Sequence, residues 1–382
     1  MGSASLIVAT VLVASIFLAA PVGAEAATST RIVMRAGARS IIAVGPQGGR
    51  PRTLVHLHRG AVLGTAVSRG GRVLAFASRT FHEVNREHVW TDRIWVLRVG
   101  GRPRIVKTII SRGRFRGFRS TDSIAISPDG RTLLVQRRRG DVFTIATDGS
   151  NYRAVRPALY DFGVGSGRNS SGPEFTPDGK RIIGVFYPPN GREGEIGGIG
   201  TVGAAGGPVH FIRRGPFANG VGHFFGPTVS PDGRFIAFAT AGRSGVSIVV
   251  MNRDGSGPHR LRESVLSGWS INNPSFSPSG RSLTFVGEHH GGGNVIIGRT
   301  PSALFTIRRD GNRLRIVQTE RPVSSSETQP GYGGRSADWT ECEGGPPRKA
   351  RGGGEAAGGS WGLADQEAGE AKPGVIFEAG VR

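Results

Sequence analysis

The sequence predicts an all-β fold: a six-bladed β-propeller of four-stranded antiparallel blades, its ring closed by pairing of N- and C-terminal strands. Three observations carry this expectation. A Ser-Pro-Asp-Gly-Arg phrase recurs along the chain, a second phrase built on Asp-Gly or Gly-Gly alternates with it, and short apolar runs flank both.

The first phrase is Ser127-Pro128-Asp129-Gly130-Arg131. It returns as Thr176-Pro177-Asp178-Gly179-Lys180, Ser230-Pro231-Asp232-Gly233-Arg234 and Ser277-Pro278-Ser279-Gly280-Arg281, with a degenerate copy at Ser68-Arg69-Gly70-Gly71-Arg72. Pro presets φ near −65°, Asp favours the bend through its side chain, and Gly accepts positive φ, so each copy reads as a tight turn between two strands. The runs on either side, such as "DSIAIS" before and "RTLLVQR" after, have the β-branched and aliphatic content of short strands.

The second phrase centres on Gly49, Gly101, Gly149, Gly207, Gly255 and Gly311, spaced 48 to 58 residues apart. It also separates two strands by a hairpin turn. One period therefore holds four strands, a to d, with the first phrase between a and b and the second between c and d. Four strands per period of this length are the pattern of a propeller blade. Six copies of the second phrase give six blades. The first blade lacks a strand a at the N-terminus, and "SADWT" (336–340) looks like a strand a without its turn. Pairing of that segment with the strands of residues 31–57 would close the ring and remove two exposed edges.

These phrases resemble the WD-like repeats of TolB-type propellers and of the propeller domains of prolyl-oligopeptidase-type peptidases, over about residues 31–340. The resemblance implies the six-bladed fold and says little of function. TolB proteins carry a separate α/β domain ahead of the propeller. Only some 14 residues lie here between an apolar leader and Ile41. The hydrolase domain of the peptidases is not expected either. Gly358-Gly359-Ser360-Trp361-Gly362 fits a nucleophile elbow, but no histidine follows it, as that triad order requires. Gly198-Ile199-Gly200-Thr201-Val202-Gly203 fits a dinucleotide fingerprint, but no helical pattern follows and it falls within a blade.

Domain boundaries follow from composition. Residues 4–20 are mostly apolar, no charge precedes Glu25, and small-x-small sites lie at residues 22–26, so residues 1–26 read as a cleaved export signal. Residues 27–341 form the propeller. Residues 342–382, rich in Gly, Ala and mixed charge, read as a disordered low-complexity tail. The one cysteine, Cys342, excludes an internal disulfide and a lipid-modified cysteine after the leader. The expected location is secreted or periplasmic, in the cell envelope, with no stable membrane span once the signal is cleaved.

Gly accounts for 62 of 382 residues, well above the usual 7% or so, while 37% of residues are hydrophobic; this suits many turns around a real core. The net charge is +21, and only four of the 49 basic residues are Lys, a ratio typical of a GC-rich bacterial genome. No helix-turn-helix, zinc-finger spacing or RNA-binding aromatic motif accompanies the charge, so no specific nucleic-acid partner is expected.

Chain direction reverses at every strand. The a–b and c–d turns therefore share one end of the ring, and the longer b–c and d–a connections share the other. Loops on a rigid scaffold are where binding concentrates. The d–a connections include residues 111–121, 160–172, 213–226 and 263–273; the b–c connections include 79–93, 187–199 and 287–295. They mix aromatics with Arg, the residue types that anchor interfaces. The candidate binding surface is Phe115, Arg116, Phe118, Arg119, Tyr160, Phe162, His223, Phe224, Phe225 and Trp269. The competing reading of these aromatics is that they fill gaps between blades. Five histidines (His82, His88, His223, His289, His290) lie in these connections without fixed ligand spacing, so neither metal nor cofactor is expected. The expected function is non-enzymatic binding of a protein, peptide or envelope glycan by a monomer. The alternatives are a metal-dependent lyase or hydrolase acting on an acidic polysaccharide at the channel mouth, and an accessory subunit whose partner supplies the chemistry.

Overall fold

A computed structural model describes residues 28–84, 87–112, 121–137, 141–162, 172–188, 196–216, 224–242, 245–261, 269–289, 302–320, 337–343 and 362–363. The described residues form six sheets and contain no helix.

Blade one contains β1 (Thr28–Ala36), β2 (Ser40–Gly45) and β3 (Gly48–Leu57). Blade two is β4 (Ala61–Val67), β5 (Val73–Val84), β6 (Glu87–Arg98) and β7 (Arg104–Arg112). Blade three is β8 (Thr121–Ile126), β9 (Thr132–Arg137), β10 (Val142–Ala146) and β11 (Arg153–Val155). Blade four gathers β12 (Pro157–Ala158), β13 (Asp161–Phe162), β14 (Glu174–Phe175), β15 (Arg181–Tyr187), β16 (Ile196–Gly203) and β17 (Gly206–Pro216). Blade five is β18 (Phe224–Val229), β19 (Phe235–Gly242), β20 (Gly245–Asn252) and β21 (His259–Leu261). Blade six is β22 (Trp269–Phe276), β23 (Ser282–His289), β24 (Ser302–Arg308) and β25 (Arg315–Glu320). The chain then returns to blade one through β26 (Ala337–Glu343), and β27 (Gly362–Leu363) lies parallel to β3 at the outer edge.

The ring closes as the repeat pattern requires. β26 supplies the missing strand a and pairs antiparallel with β1, Trp339 opposite Ile32. Blade four departs from the pattern. Its inner position is shared by β13 and β14, both paired with β15, and β12 crosses from blade three to pair in parallel with β17.

The turns form as their residues dictate. Ser127 N–H donates to the Thr132 carbonyl, while Thr132 N–H donates to Ser127 Oγ at 2.9 Å. Ser127 Oγ in turn donates to Asp129 Oδ1, which also accepts from Arg131 N–H. Gly130 follows at φ +72° and donates to the Ser127 carbonyl. The copies at Thr176 and Ser230 repeat this network, and the copy at Ser277 keeps its shape with Ser279 in place of Asp.

The core is divided rather than central. Six clusters of buried apolar side chains each sit at one junction between neighbouring blades, for example Leu63, Ala75, Ile94, Leu133, Val135 and Ile145 between blades two and three. The ring is thus six sheet-on-sheet contacts through apolar faces. At four junctions the c–d turn of one blade also meets the outer chain of the preceding blade, backbone to backbone. A Cβ on Gly149, Gly206, Gly255 or Gly48 would lie 2.5–3.2 Å from the carbonyl oxygen of Val106, Arg156, Ile212 or Val317.

Candidate functional site

The candidate site is the end of the ring bearing the b–c and d–a connections. Blade two dominates its described part. β5 and β6 have 12 residues each, against six to eight for the b strands of blades three to six. Residues 79–93, read from sequence as a loop, are strand on both sides of a two-residue connection, so they form a hairpin longer than the described b strands of blades three to six. Likewise residues 269–273 belong to β22 and residues 287–289 to β23. These segments alternate side chains across a sheet, which a reading based on their aromatic and polar content passes over.

The hairpin tip is amphipathic. Phe81 stacks at a tilt on Trp90 (4.5 Å between centroids) and on His88 (5.2 Å). Trp90 is buried, whereas Phe81 and Val84 are 38% and 53% exposed. Phe81 and Trp90 are cross-strand partners, and such aromatic pairs hold a hairpin's register.

Its base is anchored by a buried ion pair. Arg79 Nε donates to Asp92 Oδ1 at 2.7 Å and Arg79 Nη2 to Asp92 Oδ2 at 3.0 Å, with both side chains at most 3% exposed. Asp92 Oδ2 accepts from Thr121 N–H at 2.7 Å, and Arg79 donates to the Thr121 carbonyl at 3.3 Å. A bidentate pair satisfied on both sides is the geometry in which burial of charge is tolerated. Thr121 begins the inner strand of blade three, so the pair ties that strand to blade two.

The ten sequence-predicted site residues divide into two groups. Phe115, Arg116, Phe118, Arg119 and His223 lie outside the described residues. Of the rest, Tyr160 meets Phe211 edge-on at 4.8 Å, Phe224 meets Phe238 at 5.4 Å and Trp269 meets Phe305 at 5.0 Å. These three are half-buried and pack against the interblade clusters. Phe162 packs on Phe186 at 4.8 Å and is 2% exposed, so it fills blade four and offers no surface. Phe225 lies in β18 opposite Ala239. Local sequence explains two placements. Trp269 and Phe305 converge over Gly287, where a Cβ would lie 2.8–2.9 Å from both rings, and Phe162 lies against Gly184. Burial pushes the Tyr187 hydroxyl up to about 12. Sequence reasoning missed Phe81, Val84 and the Arg79–Asp92 pair. Their signal was symmetry about Asn85-Arg86, which sets Phe81 opposite Trp90 and Arg79 opposite Asp92.

No group of three or more His, Cys, Asp or Glu side chains suited to a metal ion occurs among the described residues. No described helix is long and apolar enough to cross a membrane.

The architecture defines a six-bladed β-propeller, a fold shared with TolB structures. Over 73 residues the chain is 37% identical to the Tol-Pal system protein TolB of Gluconobacter oxydans, a match covering 19% of this chain and 15% of that protein. The matched stretch is thus a small fraction of the curated relative. In fold the chain is similar to TolB of Acinetobacter baumannii (TM-score 0.53, 16% identity, 83% of this chain and 67% of that one). It is also similar to a TolB structure from Agrobacterium tumefaciens (TM-score 0.50, 16% identity, 82% and 99%). A chain of a nidogen–laminin complex shares the fold as well (TM-score 0.51, 14% identity, 81% and 98%). No family model matches the sequence.

Proposed function

We propose that this protein is an exported, non-catalytic propeller of the periplasm or cell envelope. It binds a protein, peptide or envelope glycan at the end of the ring where the b–c and d–a connections lie. The observation that carries this reading is the extended β5–β6 hairpin, which holds Phe81 and Val84 exposed on a base fixed by a buried ion pair. Exposed aromatic and aliphatic side chains on a rigid support are the usual anchors of an interface. Half-buried Tyr160, Phe224 and Trp269 extend the same end, and Phe115, Arg116, Phe118, Arg119, His223 and Phe225 belong to its connections in sequence. The likeness to a Tol-Pal system protein supports an envelope setting and a protein partner.

The test is affinity capture from envelope extract with the wild-type chain and with Phe81→Ala and Phe118→Ala. The expected result is a partner retained by the wild type and lost from at least one variant whose melting temperature is unchanged. Full retention by both variants would show that binding lies elsewhere.

A further inference from the structure

The opposite end of the ring carries a second surface. In five blades the a–b turn places one basic residue directly after its glycine: Arg72, Arg131, Lys180, Arg234 and Arg281, all exposed. Their backbone positions are fixed. Each carbonyl accepts an N–H from the c–d turn of its own blade, donated by Val99, Thr147, Ala204, Arg253 and Arg309 at 2.8–3.2 Å. The result is a ring of cations set at one level by repeat geometry.

The turns at this end hold ten basic and six acidic residues. All six acids are aspartates whose carboxylates accept hydrogen bonds within their own turn. The strand ends flanking these turns add six arginines, Arg98, Arg104 and Arg315 among them, and no acid. Blade one, which has no a–b turn, adds two further acids in sequence, Glu341 and Glu343 at the end of β26. The turns are two to six residues long. Two aromatic rings near them are already engaged by cations: Phe235 lies 3.8 Å beneath Arg309, and Tyr152 lies 4.9 Å from Lys107. Stacking platforms for bases are therefore not what this end offers.

We infer that this end lies flat against the anionic headgroups of a lipid bilayer, leaving the loop end free for its partner. Basic residues held near an anionic surface each contribute about fivefold to partition, and the attraction fades over roughly 8 Å at physiological salt.

The protein is sedimented with phosphatidylglycerol vesicles and with neutral phosphatidylcholine vesicles, which report any binding that does not depend on headgroup charge. The wild type should prefer the anionic vesicles, and the preference should fall as salt rises. The Arg131→Gln/Lys180→Gln/Arg234→Gln/Arg281→Gln variant should lose that preference by about 10²- to 10³-fold. The Arg39→Gln/Arg59→Gln/Arg112→Gln variant, altered at the loop end, should keep most of it. All these side chains are exposed, so both variants should melt with the wild type. Equal losses in the two variants, or none in the first, would overturn the inference. Binding to heparin without binding to anionic vesicles would overturn it too, by assigning the surface to a soluble polyanion.

Discussion

The junction between blades four and five offers a quantitative test of how the ring is held. Gly255 has φ +87°, and a Cβ there would lie 2.6 Å from the Ile212 carbonyl oxygen and 3.3 Å from Ile212 Cγ2. Gly255→Ala has two costs. An L-residue at positive φ loses about 1–2 kcal/mol relative to Gly. The outer strand of blade four must also retreat by about 0.8 Å to restore an ordinary 3.4 Å separation, and overpacking of this kind costs about 1–3 kcal/mol. Gly100 is the control: it has φ +70° in the equivalent turn of blade two, and a methyl group added there would meet nothing within 4 Å. Gly100→Ala should therefore show the conformational cost alone. Urea unfolding at constant m-value should separate the two variants by about 1–3 kcal/mol, Gly255→Ala being the weaker. Variants that agree within about 0.5 kcal/mol would mean that these glycines serve only their own turns and that the close approach between blades contributes nothing.

Two further expectations follow from side chains already described. Asp92→Ala leaves Arg79 charged and 1% exposed, so it should cost about 3–5 kcal/mol in chemical unfolding, whereas the paired apolar replacement Arg79→Met/Asp92→Leu should recover most of the loss; a double variant no more stable than Asp92→Ala would refute this. The carboxyls of Asp129, Asp178 and Asp232 are held below 3.8, chiefly by the hydroxyls of Ser127, Thr176 and Ser230. A depressed folded value means that their contribution is complete above the unfolded value and is lost as pH falls through the folded one. Melting temperature should therefore drop on acidification below about pH 4, and the Asp129→Asn/Asp178→Asn/Asp232→Asn variant should show a flatter acid limb in calorimetry.

How much was legible depended on whether one residue type had only one place to go. Pro128, Asp129 and Gly130 each satisfy a different demand of the same turn, and all three do so in the structure, Gly130 at φ +72°. Turn chemistry of this kind fixed the four-stranded plan of a blade, the order of its strands and hence the two ends of the ring. Closure was legible from a shortage: five complete blades and a sixth with three strands left Trp339 one partner, found in β1. Blade four's divided inner strand was not legible, because Asp161–Phe162 and Glu174–Phe175 are too short to show a period. Phe162 was assigned to the surface on its neighbours in sequence, although its burial depends on Gly184 across the sheet. The Arg79–Asp92 pair depended on register, and 13 residues of separation hid it until the hairpin was centred on residues 85–86.

The two ends of the ring follow from one rule applied to different residues. Each blade reverses direction at every strand, so whatever occupies the a–b and c–d turns is repeated around one end, and whatever occupies the other connections is gathered at the opposite end. At the turn end, conformational demands favour Pro, Asp and Gly at the central positions, and the residue after Gly is free to vary because its side chain is exposed while its carbonyl is bonded. That freedom is what allows five cations to stand at one level without disturbing the fold. At the loop end no such demand exists, and length becomes the variable: extending β5 and β6 leaves Phe81 and Val84 exposed, and a buried guanidinium–carboxylate pair keeps the extension in place. A charged surface that tolerates substitution and a hydrophobic extension that depends on its base should respond differently to mutation. Neutralising the ring should leave stability intact and alter only surface attachment, whereas removing Asp92 should weaken the hairpin and partner binding together.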